Sequence, residues 1–300
     1  MTEVSVIIPA RNEEKNIAAC LNAVFGQKTS RPLDVIVIDS GSTDRTLEIL
    51  KKYKIKLVQI KTEEFRHSTT RNLGARNASG KYLVFLNADA LPADDNWLEG
   101  LLAAMENDRS VAGAFSRQLP RADCPLYMKK KIEESFPEKG GVVTPAGYSG
   151  SGYFIRKSMA LFSTVSAALR REVWEKIPFD DRLDFAEDQG WARAVLATGY
   201  SIAYVPASRV YHSHDYSPGE WFKLNYMSFS AMNRVFERGP YESLLILPAL
   251  IANIFGITLY AFKSKLPAGK FIQETCKAYF AYLIAAAART GSMFRTMRDG

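Results

Sequence analysis

Carboxylates follow two short apolar runs of the sequence, and each is placed to bind a polar ligand. Asp39 ends the run Val35–Asp39. Its acceptor-only side chain can take hydrogen bonds from a nucleobase N–H or a ribose hydroxyl, or it can simply shape the next turn. Asp89 ends the tripeptide Asn87-Ala88-Asp89, after the run Lys81–Leu86. Oxygen ligands at such a strand end suit Mg²⁺ or Mn²⁺ bridging a diphosphate, although a single carboxylate also occurs without a metal.

Two adjacent carboxylates, Glu187 and Asp188, stand where a helix is predicted to begin. The positive end of the helix dipole favours the ionised form of a carboxylate there. An ionised carboxylate can take a proton from a hydroxyl that attacks a sugar. The alternative is that Asp188 only caps the helix. Trp191 is either a core aromatic residue or a platform on which a sugar stacks.

The segment Tyr211–Asp215 contains two of the three histidines, His212 and His214. Alternate residues of a strand face the same side, so both imidazoles could approach a metal ion or a phosphate. A structural role for the pair is the alternative.

The elements that must position these residues alternate between strands and helices. Apolar runs predict strands at Val4–Pro9, Val35–Asp39, Ile55–Ile60, Lys81–Leu86, Val111–Phe115 and Ser201–Val205. Between and after them, capping residues and helical spacing predict helices, namely one capped by Asn12, one ending at Tyr53, and others at Thr69–Ala78, Pro92–Asn107, Ser166–Lys176 and Asp188–Thr198. This order predicts a doubly wound α/β sheet whose ligands bind beyond the carboxyl ends of its strands.

Composition and motifs exclude several classes of protein. A hydrophobic content of 47% is too high for a disordered chain. Three cysteines without a CxxC pair argue against a disulfide scaffold or a zinc site and favour a reducing compartment. The absence of GxGxxG after the first strand and of GxxxxGK[ST] argues against Rossmann redox enzymes and P-loop kinases. The formal charge of +7 predicts an electropositive surface that attracts phosphates, anionic lipids or nucleic acid.

Two segments stand apart from the α/β pattern. The tract Arg117–Gly152 is rich in proline and glycine and contains three successive lysines, which predicts either a mobile excursion over a site or a solvated loop. Residues 241–300 read as basic, apolar helices, and Ser243–Phe262 has no charged residue. These helices either lie on a membrane surface or pack on the domain or on a second copy of the chain. The first residues carry no basic segment ahead of an apolar run, so no secretory signal is expected.

Taken in order, the motifs resemble those of family 2 glycosyltransferases with the GT-A fold. The segments that carry the resemblance are VSVIIPARNEE, VIVIDSGSTDRT, TRNLGARNASGKYLVFLNADALP, FAEDQGWARAVLATGY and VYHSHDYS, within residues 3 to 217. FRHSTTRNLGARNASGKYLVFLNADALP and HSHDYS are most similar to bacterial rhamnosyltransferases. The resemblance implies a mostly parallel, Rossmann-like sheet flanked by helices in a catalytic domain at 1–225. It implies a helical, membrane-associated region at 226–300.

The resemblance also implies an activity. A sugar, by preference rhamnose from a deoxythymidine diphosphate donor, would move with inversion from a nucleotide-diphosphate sugar to a hydroxyl of a lipid-linked or cell-surface glycan. The enzyme would lie in the cytoplasm, peripheral on the inner face of the membrane, and could form a homo-oligomer. A UDP- or GDP-sugar donor, or a non-catalytic sugar-nucleotide or glycan-binding subunit, are the alternatives.

Residue roles follow from the matched motifs. The positions that match the donor-binding segments are Pro9, Ala10, Arg11, Glu13, Asp39, Ser40, Arg71, Asn87 and Ala88. Asp89 matches the metal ligand of the DxD motif, with His212 near the metal and the diphosphate, and the ion is expected to be Mg²⁺ or Mn²⁺. Asp188 matches the catalytic base, with Glu187 and Trp191 expected at the acceptor. Asn87 replaces the first acid of a strict DxD motif and leaves metal dependence open.

Three other functions fit the sequence poorly. A sugar-nucleotide pyrophosphorylase needs a glycine-rich basic segment after its first strand, where this chain has IIPARNEE. A processive synthase needs several spans and a QxxRW motif, and neither occurs. Binding to nucleic acid is not expected, because the basic residues are scattered and no recognition module is present.

Overall fold

The computed structural model describes residues 2–151, 155, 158–236 and 246–299. Residue 152 of the proline- and glycine-rich tract and residues 243–245 of the predicted apolar stretch lie outside this range. The chain divides into two compact units. The first consists of Met1–Leu119 and Phe136–His212, and the second of Pro120–Ser135 and Ser213–Gly300. The division after His212 differs from the sequence-based boundary after residue 225, and the excursion at 120–135 belongs with the C-terminal helices.

In the described residues, the first unit is built on one sheet of nine strands. They are β1 Val4–Ala10, β2 Leu33–Asp39, β3 Lys56–Gln59, β4 Tyr82–Leu86, β5 Leu91–Pro92, β6 Val111–Leu119, β7 Gly141–Val143, β8 Ser166–Arg170 and β9 Ser201–Tyr211. Their order is β3-β2-β1-β4-β8-β6-β9-β5, and β7 also pairs with β9.

The sheet is parallel in its first half and mixed in its second. β1 pairs in parallel with β2 and β4, β2 with β3, and β6 with β9. β8 is antiparallel to both β4 and β6, and β9 is antiparallel to β5 and β7. Because β1 lies between β2 and β4, the loops that follow these three strands meet at one edge, which is where open α/β sheets bind ligands.

Helices flank the sheet and cover the apolar strands. Those of the first unit are α1 Ile17–Phe25, α2 Thr46–Leu50, α3 His67–Asn77, α4 Trp97–Asn107, α6 Pro145–Ser149, α7 Arg171–Lys176 and α8 Glu187–Ala197. Val6, Ile8 and Val37 are fully buried in the resulting core. α3 lies so close to β1 that a Cβ on Gly74 would come within 2.3 Å of the Ile7 side chain, so glycine is required at this contact.

The structure confirms the α/β class and corrects several predicted elements. The helix predicted at Pro92–Asn107 begins at Trp97, because Leu91–Pro92 pairs with β9 as a strand. The tract Arg117–Gly152, predicted as a mobile excursion or a solvated loop, contains two helices and a strand, at Leu126–Ser135, Pro145–Ser149 and Gly141–Val143. Ser166–Lys176 was expected to be one helix, but Ser166–Arg170 is a fully buried strand and only Arg171–Lys176 is helical. The sequence SAALR has helical propensity, but burial between two antiparallel neighbours outweighs that weak preference. Asn12 was expected to cap α1, which instead begins at Ile17 after Asn16.

The second unit is helical. It contains α5 Leu126–Ser135, α9 Pro218–Phe236, α10 Ile246–Lys263 and α11 Ala268–Asp299. Trp221 of α9 is buried, and its indole N–H donates to the Ala281 carbonyl of α11 at 2.8 Å. α10 is long and apolar enough to cross a membrane. Only 11% of its residues are buried within the protein, so most of its apolar side chains are not covered by the described residues. The helices predicted for residues 241–300 are therefore present in the described part of that region.

Candidate active site

Asp39 ends β2 with its carboxylate fully buried in the loop that follows. One carboxylate oxygen accepts from the backbone N–H groups of Gly41 and Ser42, both at 3.1 Å, and the other accepts from the Ser42 hydroxyl. Gly41 has a φ of +77°, which favours glycine in this turn. A carboxylate offers about four acceptor positions, so these three bonds leave room for one ligand donor. The turn-forming role is observed, and a ligand-binding role is compatible with it.

The loop after β1 is tied to the loop after β2. Asn12 adopts a left-handed φ of 55°, donates its N–H to the Ser42 hydroxyl at 2.9 Å and accepts the Thr43 N–H at 2.8 Å. The N–H of Glu13 donates to the Thr46 hydroxyl at 2.7 Å. Asn12 is held in this loop through its backbone N–H and its side-chain Oδ1, and the helix begins five residues later, at Ile17.

The other residues predicted to bind the donor lie along the same edge. Pro9 and Ala10 end β1, and the Ala10 carbonyl accepts the Ser40 N–H at 3.0 Å. The Ser40 hydroxyl is buried without a hydrogen-bond partner among the described residues. Arg11 and Glu13 follow in the loop, Arg11 exposed and Glu13 half-buried. The structure thus brings these five residues to the carboxyl ends of β1 and β2.

Arg71 of α3 joins the Asn87-Ala88-Asp89 segment to the start of α8. One terminal nitrogen of its guanidinium lies 2.8 Å from Glu187 Oε1, and the other donates to Asn87 Oδ1 at 3.1 Å. Arg71 and Glu187 are almost fully buried, so they form an ion pair inside the protein. The pair offsets the cost of removing each charge from water.

His67 completes this network. Burial, followed by the charge of Arg71, lowers the pKa of His67 to about 4. The imidazole is therefore neutral at pH 7 and can accept a hydrogen bond from Arg71 at Nδ1, 3.1 Å away. The Nε of Arg71 is buried without a partner among the described residues. Asn87 keeps an acceptor for Arg71 without adding a second carboxylate that would compete with Glu187 for the guanidinium.

Asp188 lies in the first turn of α8, beside Glu187, and is partly buried. It accepts the Gln189 N–H at 2.8 Å and the Thr164 N–H at 3.2 Å. Burial and the negative charge of Glu187 outweigh these bonds and the Arg71 charge, and raise the pKa of Asp188 to about 7. A carboxylate with such a pKa is a stronger base than an ordinary aspartate and is matched to proton transfer near neutral pH.

Asp89 and His212 face each other where β4 and β9 end. Asp89 Oδ2 is 3.6 Å from His212 Nε2. The other ring nitrogen, Nδ1, lies 3.0 Å from Gln118 Oε1, an acceptor-only atom, so Nδ1 carries a proton and Nε2 is the ring nitrogen that faces Asp89. Gln118 is held in turn through its amide nitrogen, which donates to the Ser163 hydroxyl at 2.9 Å.

A carboxylate oxygen and an oriented imidazole nitrogen are suitable ligands for a divalent cation. The tautomer fixed by Gln118 is the one a metal requires, so the donor set fits such an ion. His214 follows two residues later, as part of the second unit.

Trp191 and Glu187, which were predicted to contact the acceptor, are both buried among other residues of the protein. Trp191 is 2% exposed, donates its indole N–H to the Ile177 carbonyl at 2.8 Å, and packs against Phe162 and Phe179. A stacking platform needs an exposed ring face, so Trp191 is a core residue. Glu187 is 5% exposed and paired with Arg71, so it positions neighbouring groups and does not face a ligand.

Gln118 and Thr164 are site residues that sequence reasoning missed. Gln118 is in the region predicted as a loop, and no spacing in the sequence connects it with His212, 94 residues later. Thr164 lies two residues before β8, in a part of the sequence where a helix was predicted to follow, and nothing in the sequence indicates that it lies beside Asp188.

Comparison with known protein families places this geometry in context. The family model for glycosyl transferase family 2 matches residues 5–177, which is more than half of the chain. The chain belongs to glycosyl transferase family 2. It is similar to the O-antigen chain rhamnosyltransferase RfbN of Salmonella typhimurium, 32% identical over 74% of this chain and 69% of that protein. It is also similar to the O-antigen chain rhamnosyltransferase WbaN of Salmonella anatum, 33% identical over 66% of this chain and 62% of that one.

Solved structures confirm the GT-A-like fold of this glycosyltransferase. A mannosyltransferase from Pyrobaculum calidifontis, in complex with GDP-Man and Mn²⁺, aligns with a TM-score of 0.62 at 21% identity over 96% of this chain and 86% of that one. TarS residues 1–349 of Staphylococcus aureus, in complex with UDP, aligns with a TM-score of 0.57 at 18% identity over 100% of this chain and 92% of that one. At these identities the likeness concerns the fold alone.

Proposed function

We propose that this glycosyltransferase transfers a sugar, with inversion, from a nucleotide-diphosphate sugar to a hydroxyl of a glycan acceptor. The observation that carries the proposal is the position and basicity of Asp188. Its carboxylate has a raised pKa and follows Glu187 directly in the sequence. Glu187 is paired with Arg71, and Arg71 also donates a hydrogen bond to Asn87, two residues before the predicted metal ligand Asp89. One carboxylate acting as a base fits a single displacement, in which the hydroxyl loses its proton to Asp188 as it attacks the sugar.

The donor lies, in this proposal, across the carboxyl ends of β1, β2 and β4. Pro9, Ala10, Arg11 and Glu13 contact the nucleotide, and the remaining acceptor position of Asp39 takes a base or ribose donor beside Ser40. Arg71 acts through its hold on Asn87, which with Ala88 lines the diphosphate.

Asp89 and His212 hold Mg²⁺ or Mn²⁺ in the proposed complex. Such an ion would supply positive charge that offsets the charge on the departing nucleotide diphosphate. The imidazole ligand favours Mn²⁺ over Mg²⁺, because Mg²⁺ prefers an all-oxygen shell. Support comes from the Pyrobaculum mannosyltransferase, whose structure contains Mn²⁺.

Rhamnose from a deoxythymidine diphosphate donor is the preferred substrate, because two of the similar proteins are O-antigen chain rhamnosyltransferases. UDP- and GDP-sugars are the alternatives, since the fold neighbours hold UDP and GDP-Man. The same relatives support an acceptor that is a cell-surface or lipid-linked glycan. In this proposal the enzyme works in the cytoplasm, at the inner face of the membrane, and the exposed apolar face of α10 supports peripheral attachment.

A donor panel tests this proposal. We would measure thermal stabilisation by dTDP-rhamnose, UDP-sugars and GDP-sugars, each with and without Mn²⁺, since selective binding raises the melting temperature. Asp188→Asn is expected to keep the rise in melting temperature that the donor causes. It is expected to lose sugar transfer, and also the slow hydrolysis of the donor by water. Asp184→Asn is the matched control, because Asp184 is an exposed aspartate four residues earlier that pairs with Arg66. Donor turnover by Asp188→Asn at the rate of the control would exclude Asp188 as the base.

A further inference from the structure

The C-terminal helical unit contains a cavity of its own, lined by both charged and apolar side chains. The cavity has a volume of about 130 Å³ and is lined by residues of α5, α9, α10 and α11. It opens to solvent, and its lining combines Lys131 and Arg289 with Trp221, Tyr282, Ile246 and Leu250. None of these residues was assigned to the donor site.

Two cations face this cavity. Lys131 Nζ lies 4.8 Å from the centre of the Trp221 ring, and Arg289 is close enough for its charge to repel Lys131. The Lys131 side chain is exposed as a whole, but its ammonium group lies against the Trp221 ring, and desolvation there, followed by this repulsion, lowers the pKa of Lys131 to about 8. A bound anion would relieve the repulsion.

The neighbouring acids have other partners. Glu134, an acid in the cavity wall, forms an ion pair with Lys130, one turn earlier on α5. Glu133 accepts a hydrogen bond from the Tyr260 hydroxyl at 2.7 Å. Burial and the charge of Glu134 raise the pKa of Tyr282 to about 12, so its hydroxyl stays protonated and can donate.

The size of the cavity admits a small anion. A volume of about 130 Å³ is enough for a phosphate group. Two cationic donors and a phenol match the several acceptor oxygens of a phosphate.

An exposed apolar surface adjoins the cavity. Ile246 and Leu250 line the cavity, and the outer face of the same helix carries large apolar side chains that are 46–77% exposed, namely Leu247, Ile251, Phe255, Leu259 and Phe262. A soluble phosphate makes no contact with such an apolar face, whereas the hydrocarbon chains attached to a lipid phosphate can pack against it.

We propose that this cavity binds the phosphate group of an anionic membrane lipid between Lys131 and Arg289, while the outer face of α10 enters the surface of the bilayer. The inference extends the proposed membrane attachment, on which it rests. The protein would then be held at the membrane by a specific contact with one lipid headgroup, in addition to the general attraction between a basic protein and an anionic surface.

Vesicle binding by matched charge variants tests the proposal. Lys131→Gln with Arg289→Gln removes two charges from the cavity, and Lys129→Gln with Lys223→Gln removes two exposed charges from α5 and α9. On vesicles of phosphatidylglycerol and phosphatidylcholine, the cavity variant is expected to bind about 30-fold more weakly, from roughly 1 kcal/mol per cation. The control is expected to stay within about threefold of the unaltered chain, because Lys129 and Lys223 do not line the cavity and can offer a headgroup only general, screened attraction. Equal losses in the two variants would overturn the proposal.

A second measurement uses the unaltered protein, so it does not depend on the folding of a variant. Short-chain phosphatidylglycerol, below its micelle concentration, should change the fluorescence of Trp221, with Trp221→Phe as the blank. Short-chain phosphatidylcholine and inorganic phosphate should bind at least tenfold more weakly. Equal affinity for inorganic phosphate would assign the cavity to free phosphate and refute a lipid site. The donor panel is independent of both measurements, so failure of the lipid site and failure of the transferase proposal are distinguishable.

Discussion

The pH at which transfer becomes fast should report directly on the environment of Asp188. Removal of this carboxyl from water is the largest cause of its raised pKa, and the neighbouring charge of Glu187 is the next. Only the ionised form can accept the proton of the attacking hydroxyl. Because the folded pKa of this acid is raised to about 7, the active form accumulates as the pH rises through neutrality.

The expected size of the effect follows from the pKa. A group with a pKa of about 7 is about 9% ionised at pH 6, about 50% at pH 7 and about 91% at pH 8. The kcat/KM for the acceptor should therefore rise about tenfold from pH 6 to pH 8. An aspartate with an ordinary pKa is fully ionised throughout this range and would give a flat profile.

Glu187→Gln is the informative perturbation. The amide keeps the size of the side chain and can still accept from Arg71, but it removes a negative charge that disfavours ionisation of Asp188. The acid limb of the profile should move to lower pH, so the variant should keep more of its pH 8 activity at pH 6 than the unaltered enzyme does. Initial rates of nucleotide diphosphate release, at subsaturating acceptor and saturating metal, measure both profiles.

Two outcomes would refute this reasoning. A flat profile between pH 6 and pH 8 for the unaltered enzyme would show that Asp188 has an ordinary pKa or is not the base. A limb that stays in place in Glu187→Gln would show that Glu187 does not influence the group being titrated. Asp184→Asn should leave the profile unchanged, because Asp184 is exposed and paired with Arg66.

Three further results are expected. Asp188→Asn should raise the melting temperature more at pH 8 than at pH 5. The ionised carboxyl destabilises the folded state, and this cost in free energy grows as the pH rises from the unfolded pKa near 4 to the folded pKa near 7. Equal changes in melting temperature at both pH values would contradict the raised pKa. Gln118→Leu should weaken Mn²⁺ binding about 10- to 100-fold by calorimetry, because His212 loses the acceptor that orients its ring. Unchanged affinity would show that the Gln118 hydrogen bond does not orient His212 for the metal. Arg71→Met should lower the free energy of unfolding by about 3–5 kcal/mol in urea, because it leaves Glu187 as a buried, unpaired carboxylate, whereas a loss below about 1 kcal/mol would mean that the pair is solvated.

The sequence predicts best the elements whose signal is local. β1, β2 and β4 are continuous apolar runs of branched and aromatic residues, and buried parallel strands have this pattern. The carboxylates that follow such strands could therefore be placed at one edge before the structure was known. Asp39 and Asp89 are both found there.

Features that depend on distant partners could not be predicted. β8 is a strand because it lies between β4 and β6, and nothing within the segment SAALR indicates those neighbours. Arg71 and Glu187 are separated by 116 residues, so the sequence suggested separate donor and acceptor roles where the structure shows one buried pair. Trp191 illustrates the same limit, because only the packing of Phe162 and Phe179 decides that it belongs to the core.

The reciprocal bonds between the loops after β1 and β2 bear on how new donor specificities could be engineered into this scaffold. Backbone and side-chain groups at residues 12–14 are matched to partners at residues 42–46, so each loop is shaped by the other. Transplanting either loop alone from a relative would leave its polar groups opposite foreign partners. The smallest unit that can be exchanged is therefore the two loops together, residues 12–14 with residues 42–46. Substitutions in one loop should be accompanied by matching substitutions in the other.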